Sequence, residues 1–172
     1  MACNQTLVAL LKDCSPSMGG ILEAYFANKE DIQEVTLAED MVDAITMAET
    51  SNKFVKFQFA KNTGSMSSTY TIDPTTGVRY VTTDLVLVFN RMETRKRVAI
   101  TALAQNDLVA IVKDANNKYW FLGYNEAVTA TTGDGMTGTA RGDRNGYSVT
   151  LQDNSHEMPY EVNPDIIAEL VA

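Results

Sequence analysis

The chain has 172 residues, 45% of them apolar, with 22 acidic side chains against 14 basic ones and a formal charge of −8. One domain of that length buries about two-thirds of its unfolded surface. The acidity argues against a free nucleic-acid binder, which needs a clustered basic face for phosphates. No stretch nears the roughly 20 apolar residues that span a bilayer, and one His with two Cys offers little to catalysis or zinc.

The chain begins MACNQTLVALLKDC, with an apolar run of only Leu7 to Leu11. No basic segment precedes it and no small-residue cleavage site follows, so it reads as no signal peptide, and the protein is expected to be made and kept in a cytoplasm. On that reading Cys3 and Cys14 are free thiols, and the glycosylation-like triplet Asn4-Gln5-Thr6 carries no meaning. Leu7 to Asp13 (LVALLKD) reads as a strand that ends in the turn-rich Cys14 to Gly20. Ile21 to Phe26 reads as its return strand, and Gln33 to Leu37 as a short third run.

The next segment has two readings. Thr36 and Glu39 have capping-box spacing, and Leu37, Met41, Ala44, Ile45 and Ala48 follow as a helical stripe. The favoured expectation is one or two helical turns over 37–48. The alternative is a strand over Val42 to Met47 paired with Lys53 to Lys61. Lys53 to Ala60 alternates, with Val55, Phe57 and Phe59 on one face and Lys56 and Gln58 on the other, as in a half-buried strand.

Thr69 to Ile72 and Val78 to Phe89 flank Asp73-Pro74-Thr75-Thr76-Gly77, a strong hairpin turn. Asn90 to Gln105 is the best helix, with Asn90 as cap and Met92, Ala99, Ile100 and Leu103 at helical spacing. Its other face carries Arg91, Arg95, Lys96 and Arg97, read as a solvated charged face. Leu108 to Lys113 and Lys118 to Gly123 form a second hairpin around Asp114 to Asn117. LVAIVKD at 108–114 repeats LVALLKD at 7–13 closely; chance similarity of two apolar strands is favoured over an internal duplication.

Thr129 to Asn145 (TATTGDGMTGTARGDRN) has little to bury and predicts an exposed loop or a long mobile hairpin. Gly146 to Gln152 is a strand with Tyr147, Val149 and Leu151 on one face. Tyr160 to Val162 adds a short edge strand, and Asp165 to Val171 a helical turn at the surface.

Chemistry is sparse along this framework. His156 sits in a polar turn before a proline and reads as a surface residue, since Ser155 beside it makes no triad. The glycines from Gly133 to Gly146 lack GK[ST] and join no strand to a helix. Asp143, Asn145 and Gly146 lack calcium-loop spacing and its closing Glu. Arg141-Gly142-Asp143, an integrin tripeptide, is expected by chance in such a loop. Met18, Met41, Met47 and Met92 read as core filler. No cofactor, metal or enzymatic activity is expected.

Several stretches resemble an uncharacterised family of virion structural proteins from tailed phages and prophages of gut Bacteroidales. They are Gly19-Gly20-Ile21 into Tyr25-Phe26-Ala27-Asn28, Val81 to Phe89 running into the basic helix, LVAIVKDANNKYWFLGYNEAVTAT and GTARGDRNGYSVTLQDN. Together they cover about half the chain. Members look like tail-tube-type subunits, so the resemblance implies a β-sandwich or partly open barrel with one flanking helix near 91–105, assembling into rings. The 38–50 segment departs from that pattern, reading helical where the resemblance implies a strand.

The expected fold is therefore mainly β, one domain over 1–172, or α+β by count if 37–48 is helical. The expected function is a non-enzymatic tail-tube subunit whose homo-oligomeric, hexameric rings stack into a DNA conduit. Its partners would be other virion proteins and passing DNA that it does not bind specifically, with no membrane. A mobile loop that orders on stacking and an acidic lumen that repels DNA fit that role. The expected assembly residues are Thr129, Gly133, Gly135, Gly138, Arg141, Asp143 and Arg144 in the loop, with Arg91, Arg95 and Lys96 on the helix. The alternatives are a capsid decoration or head-tail connector protein, and a carbohydrate- or peptide-binding module with Tyr119, Trp120 and Tyr124 as an aromatic platform.

Overall fold

A computed structural model describes residues 6–172, so Cys3, Asn4 and Gln5 lie outside the described residues. The strands are β1 (Ile21–Asn28), β2 (Ile32–Ala38), β3 (Met41–Met47), β4 (Val55–Gln58), β5 (Ser65–Asp73) and β6 (Val78–Asn90). After helix α1 (Thr94–Gln105) come β7 (Leu108–Asp114), β8 (Tyr119–Leu122), β9 (Thr129–Met136), β10 (Gly146–Ser155), β11 (Tyr160–Val162) and helix α2 (Pro164–Leu170). The fold is mainly β with a flanking helix.

Two sheets share the strands. One has seven in the order β2-β3-β11-β8-β7-β1-β4, and the other four in the order β5-β6-β10-β9. Between them lies a core of Ala24 and Phe26 from β1, Ala110 and Val112 from β7, Leu85 and Leu87 from β6, and Val149 and Leu151 from β10, closed by Leu103 of α1. Alternate residues of β1 and β7 (Tyr25, Ala27, Val109, Ile111) point the other way, into a second core with Phe121, Val42 and Ile167 and Leu170 of α2. Hence LVAIVKD reads as an unbroken apolar run: both of its faces are buried. The outer face of the four-stranded sheet is polar, with Gln152 on Asp84 at 2.9 Å and Thr82 on Asn154 at 3.1 Å.

Several expectations are corrected. Residues 37–48 are not helical. They form the β2–β3 hairpin, whose two-residue turn places Glu39 and Asp40 at φ 51° and 62°. Such a turn matches strand twist, and β3 gains a second ladder by lying parallel to β11, not against residues 53–61. Residues 7–13 join no strand: Leu7, Val8, Leu10 and Leu11 are 97%, 81%, 96% and 89% exposed. The partners of β1 are β4 and β7 instead.

The helix begins at Thr94, not Asn90, because the β6–β10 ladder runs on through Asn90↔Gly146 and Arg91 turns the chain at φ 63°. Asn90 is therefore a strand residue, and Glu93 is the cap position, without a side-chain cap bond. Residues 129–136 are a ladder strand on β10, and only 137–145 form the turn. β11 is no edge: it lies between β3 and β8. Met18 and Met92 are exposed and fill no core. The α2 helix starts at Pro164, with the Asn163 side chain accepting from the Asp165 N–H at 3.1 Å, and it buries Ile167 and Leu170.

Candidate assembly surfaces

The β5–β6 hairpin is longer than the sheet that carries it. Its own ladder runs from Ser65↔Val86 to Asp73↔Val78, whereas β10 accompanies β6 only from Val81 to Asn90. The tip past Val81 thus stands beyond β10. Asp73 closes its turn by accepting from the Thr75 N–H at 2.9 Å and the Thr76 N–H at 3.4 Å. Those bonds, that from Thr75 first, hold its carboxyl below the ordinary range. Tyr70 and Ile72 project on one face of the tip, Val78 and Tyr80 on the other, and all four are exposed. A tip apolar on both faces cannot be covered by the sandwich beneath it. Sequence reading placed this hairpin but did not single out its tip. The available signal was apolar residues at both parities on either side of the Asp73–Gly77 turn.

The second surface is the β9–β10 connection. Thr129 opposes Gln152, Gly133 opposes Val149 and Gly135 opposes Tyr147. A Cβ at Gly135 would stand 2.9 Å from the Tyr147 ring, so glycine lets that ring lie across the strand. Gly138 has φ 71°, and a Cβ there would meet Asp143 at 2.5 Å. Asp143 ties the turn by accepting from the N–H groups of Thr139 and Ala140 at 2.8 and 2.7 Å. These two bonds, that from Ala140 first, lower its pKa. Arg144 donates to both carboxylate oxygens of Asp134 at 3.0 and 2.9 Å. Arg141 is exposed at the apex. Of the two expectations for this segment, an exposed loop or a long mobile hairpin, the structure shows a hairpin, held by hydrogen bonds across its turn.

The structure joins this hairpin to the start of α1. Arg91 N–H donates to the Asn145 carbonyl at 2.6 Å, and Met92 N–H to the Asn145 side chain at 2.8 Å. Lys96 donates to the Asn90 carbonyl at 2.6 Å and pairs with Glu93 at 3.1 Å. Arg95 is exposed. The helix residues and the turn residues Gly138, Arg141, Asp143 and Arg144 therefore share one end of the molecule, with Asn145 as the missed link, whereas Thr129 lies at the far end of β9, opposite Gln152.

The other candidates separate. Tyr119 and Trp120 are successive strand residues and point to opposite faces, so no single aromatic platform forms. The Trp120 indole N–H donates to Asp114 at 3.1 Å, and Tyr124 stacks edge-on with Tyr160 at 5.1 Å. His156 is exposed, its backbone N–H on Asn125. Cys14 is an exposed free thiol. Among the described residues no helix is long and apolar enough to cross a membrane, and no group of His, Cys, Asp and Glu could hold a metal.

Two carboxylates missed by sequence reading, the half-buried Glu23 and the buried Asp153, have opposite electrostatics. Burial pushes the Glu23 carboxyl up, but hydrogen bonds from Lys56, Tyr25 and Gln58 and the Lys56 charge outweigh it and bring the carboxyl down to about 2. Lys56 stands 2.7 Å away, the Tyr25 hydroxyl 2.6 Å and Gln58 3.0 Å. Asp153, 3% exposed, has one oxygen without a hydrogen-bond partner. Burial raises its pKa against the Gly123 N–H and the Lys29 charge. Lys29 itself donates to the Gly123 and Tyr124 carbonyls.

Comparison with protein-family models, with curated proteins and with solved structures finds no match to this chain.

Proposed function

We propose that this chain is a non-enzymatic virion structural protein, a tail-tube subunit that assembles with its own copies into stacked rings. The observation that carries the reading is the β5–β6 hairpin, whose tip exposes Tyr70, Ile72, Val78 and Tyr80 beyond the sheet that supports it. Apolar residues clustered on a projecting element mark a contact site, and a hairpin is stiff enough to reach a neighbouring subunit. The resemblance to virion proteins of tailed phages supplies the class, and the two-sheet fold is of the kind it implies. Open sheet edges at β2, β4, β5 and β9 offer lateral pairing. The charge of −8 suits a conduit, since a negative lumen repels passing DNA instead of holding it. On this reading the protein is made in a bacterial cytoplasm and resides in the virion, among other virion proteins.

The test is mass by light scattering across a concentration series, with negative-stain imaging of the same sample. Six-fold rings or tubes with an acidic lumen are the expected result. A basic lumen would remove the electrostatic support, and stable trimers or twelve-fold rings would move a decoration or connector role ahead.

A further inference from the structure

The segment before β1 has the sequence of a strand but joins no sheet. LVALLKD at 7–13 has the same chemistry as LVAIVKD of β7, which is buried on both faces. Yet Leu7, Val8, Leu10 and Leu11 lie in solvent. An unbroken apolar run of this length is suited to a position covered above and below.

The seven-stranded sheet has an open position beyond β4, at its end, covered on one face by α1. Between β4 and α1 an open groove of about 340 Å³ is lined by all four β4 residues and Phe89, with Ala99 and Ile100 of the helix on its apolar side and Glu93, Arg95 and Lys96 at its charged end. It continues past Val55 and Phe57 into a second stretch of about 320 Å³ lined by Phe26, Ala102 and Leu103. The strand edge is open beyond Phe54, whose backbone pairs with Leu170 and Ala172, and Val55 is 55% exposed. Ala99 and Ala102 keep the helix wall low. A strand laid against β4 there would pair its backbone with the open edge and pack one face on α1.

The chain's own arm is aimed elsewhere. Met18 N–H donates to the Asn116 side chain at 2.8 Å, and the Asn116 amide donates back to the Met18 carbonyl at 3.0 Å. Ala115 N–H holds the Gly20 carbonyl at 3.0 Å. These bonds fix the root of the arm to the β7–β8 turn, on the side of β1 away from β4. Residues 7–17, extended at 3.3–3.6 Å each, span roughly 36–40 Å beyond that root, enough to reach a neighbour.

We infer that residues 7–11 insert as an added strand beside β4 of a second copy, in the groove against α1. Arm and groove are different surfaces of one chain, so the contact is either exchanged reciprocally in a two-fold dimer or repeats head-to-tail, closing into a ring or running on as a filament. The inference rests on the homo-oligomer reading above and names the segment that links neighbours.

The test uses the full-length chain with Cys3→Ser and Cys14→Ser. Leu10→Cys on one preparation is mixed with Val55→Cys on a second, differently tagged one, under mild oxidant. Both positions are exposed, so neither change threatens the fold. The expected result is a mixed disulfide between the two preparations. A control pairing Leu10→Cys with Thr76→Cys is expected to stay at background. A second variant without residues 1–13 is expected to keep its near-ultraviolet spectrum and lose assembly. If full-length protein forms rings but the disulfide does not form, or the truncated chain still forms rings, the arm inference fails and the ring reading stands. If the disulfide forms but only open chains or dimers appear, the arm inference stands and the ring reading fails. A disulfide found only within one molecule carrying both cysteines overturns the second-copy assignment.

Discussion

Glu23 and Asp153 give stability opposite slopes with pH. Glu23 titrates near 2 when folded against an ordinary 4.5, so its contribution is present above 4.5 and fades as pH falls toward 2. Glu23→Gln is expected to cost about 1.5 kcal/mol at pH 7, the low end of the range for hydrogen bonds to charged groups. Urea denaturation at pH 7 and at pH 2.5 checks it: the difference from the parent should shrink at the lower pH. Asp153 has the reverse sign. Its folded pKa lies above the ordinary 3.8, so the folded state keeps a proton that the unfolded chain has lost. Stability is highest below 3.8 on this account and declines as pH climbs through the raised value, because burial disfavours the charged form. Asp153→Asn keeps an acceptor for the Gly123 N–H and removes that charge. It is expected to flatten the decline of stability above 3.8. A decline as steep as the parent's would refute this account. Neither carboxylate was legible in the sequence: Glu23 depends on β4 lying beside β1, and Asp153 on the loop after β8, and no local pattern encodes those neighbours.

At the scale of elements, what could be read locally was read well. The Asp73–Gly77 and Asp114–Asn117 turns carry their own residue chemistry, and the alternation of Val55 and Phe57 with Lys56 and Gln58 marks the two faces of β4. Misreadings came where a distant ladder decided. Asn90 looks like a helix cap until Gly146 pairs with it. Residues 129–136 look unstructured until β10 lies beside them. Residues 37–48 show a helical stripe, yet hairpin and parallel pairing to β11 prevail, because tertiary ladders override a weak local preference. That competition is testable at the turn. Asp40 sits at φ 62°, a conformation that suits glycine better. Asp40→Gly is expected to raise stability by about 0.5 kcal/mol through relief of that strain. Were the segment helical, the same glycine would cost about 0.3 kcal/mol, so the sign of the change in a thermal melt distinguishes the two. Gly146 tests the junction that displaced the helix start. A Cβ there would lie 2.0 Å from the Phe89 carbonyl oxygen. Backbone is the obstacle and no rotamer relieves it, so Gly146→Ala is expected to cost about 3 kcal/mol.

At the scale of the molecule, the question is what a stable chain does with apolar surface it cannot bury. The two cores are complete without the hairpin tip: Val81 is the last β6 residue toward the tip to be buried, and Arg79 and Val78 beyond it are exposed. Tip residues thus contribute little to folding, and their retention points outward. Ile72→Asp places a charge where the side chain is 60% exposed. It is expected to leave monomer stability within about 0.5 kcal/mol, as exposed substitutions usually do. If the tip packs on a neighbour, that carboxylate is stripped of water in the assembly without a partner, which costs far more than it does in the free chain. Rings should then fail to form at concentrations where the parent assembles, with sedimentation showing a folded monomer. Thr76→Asp, in the turn beside it, adds the same charge without entering an apolar face and is expected to assemble. Equal loss in both variants would trace the effect to net charge and not to the tip. Equal assembly in both would release the hairpin from any role in the contact, leaving the sheet edges to hold neighbours together.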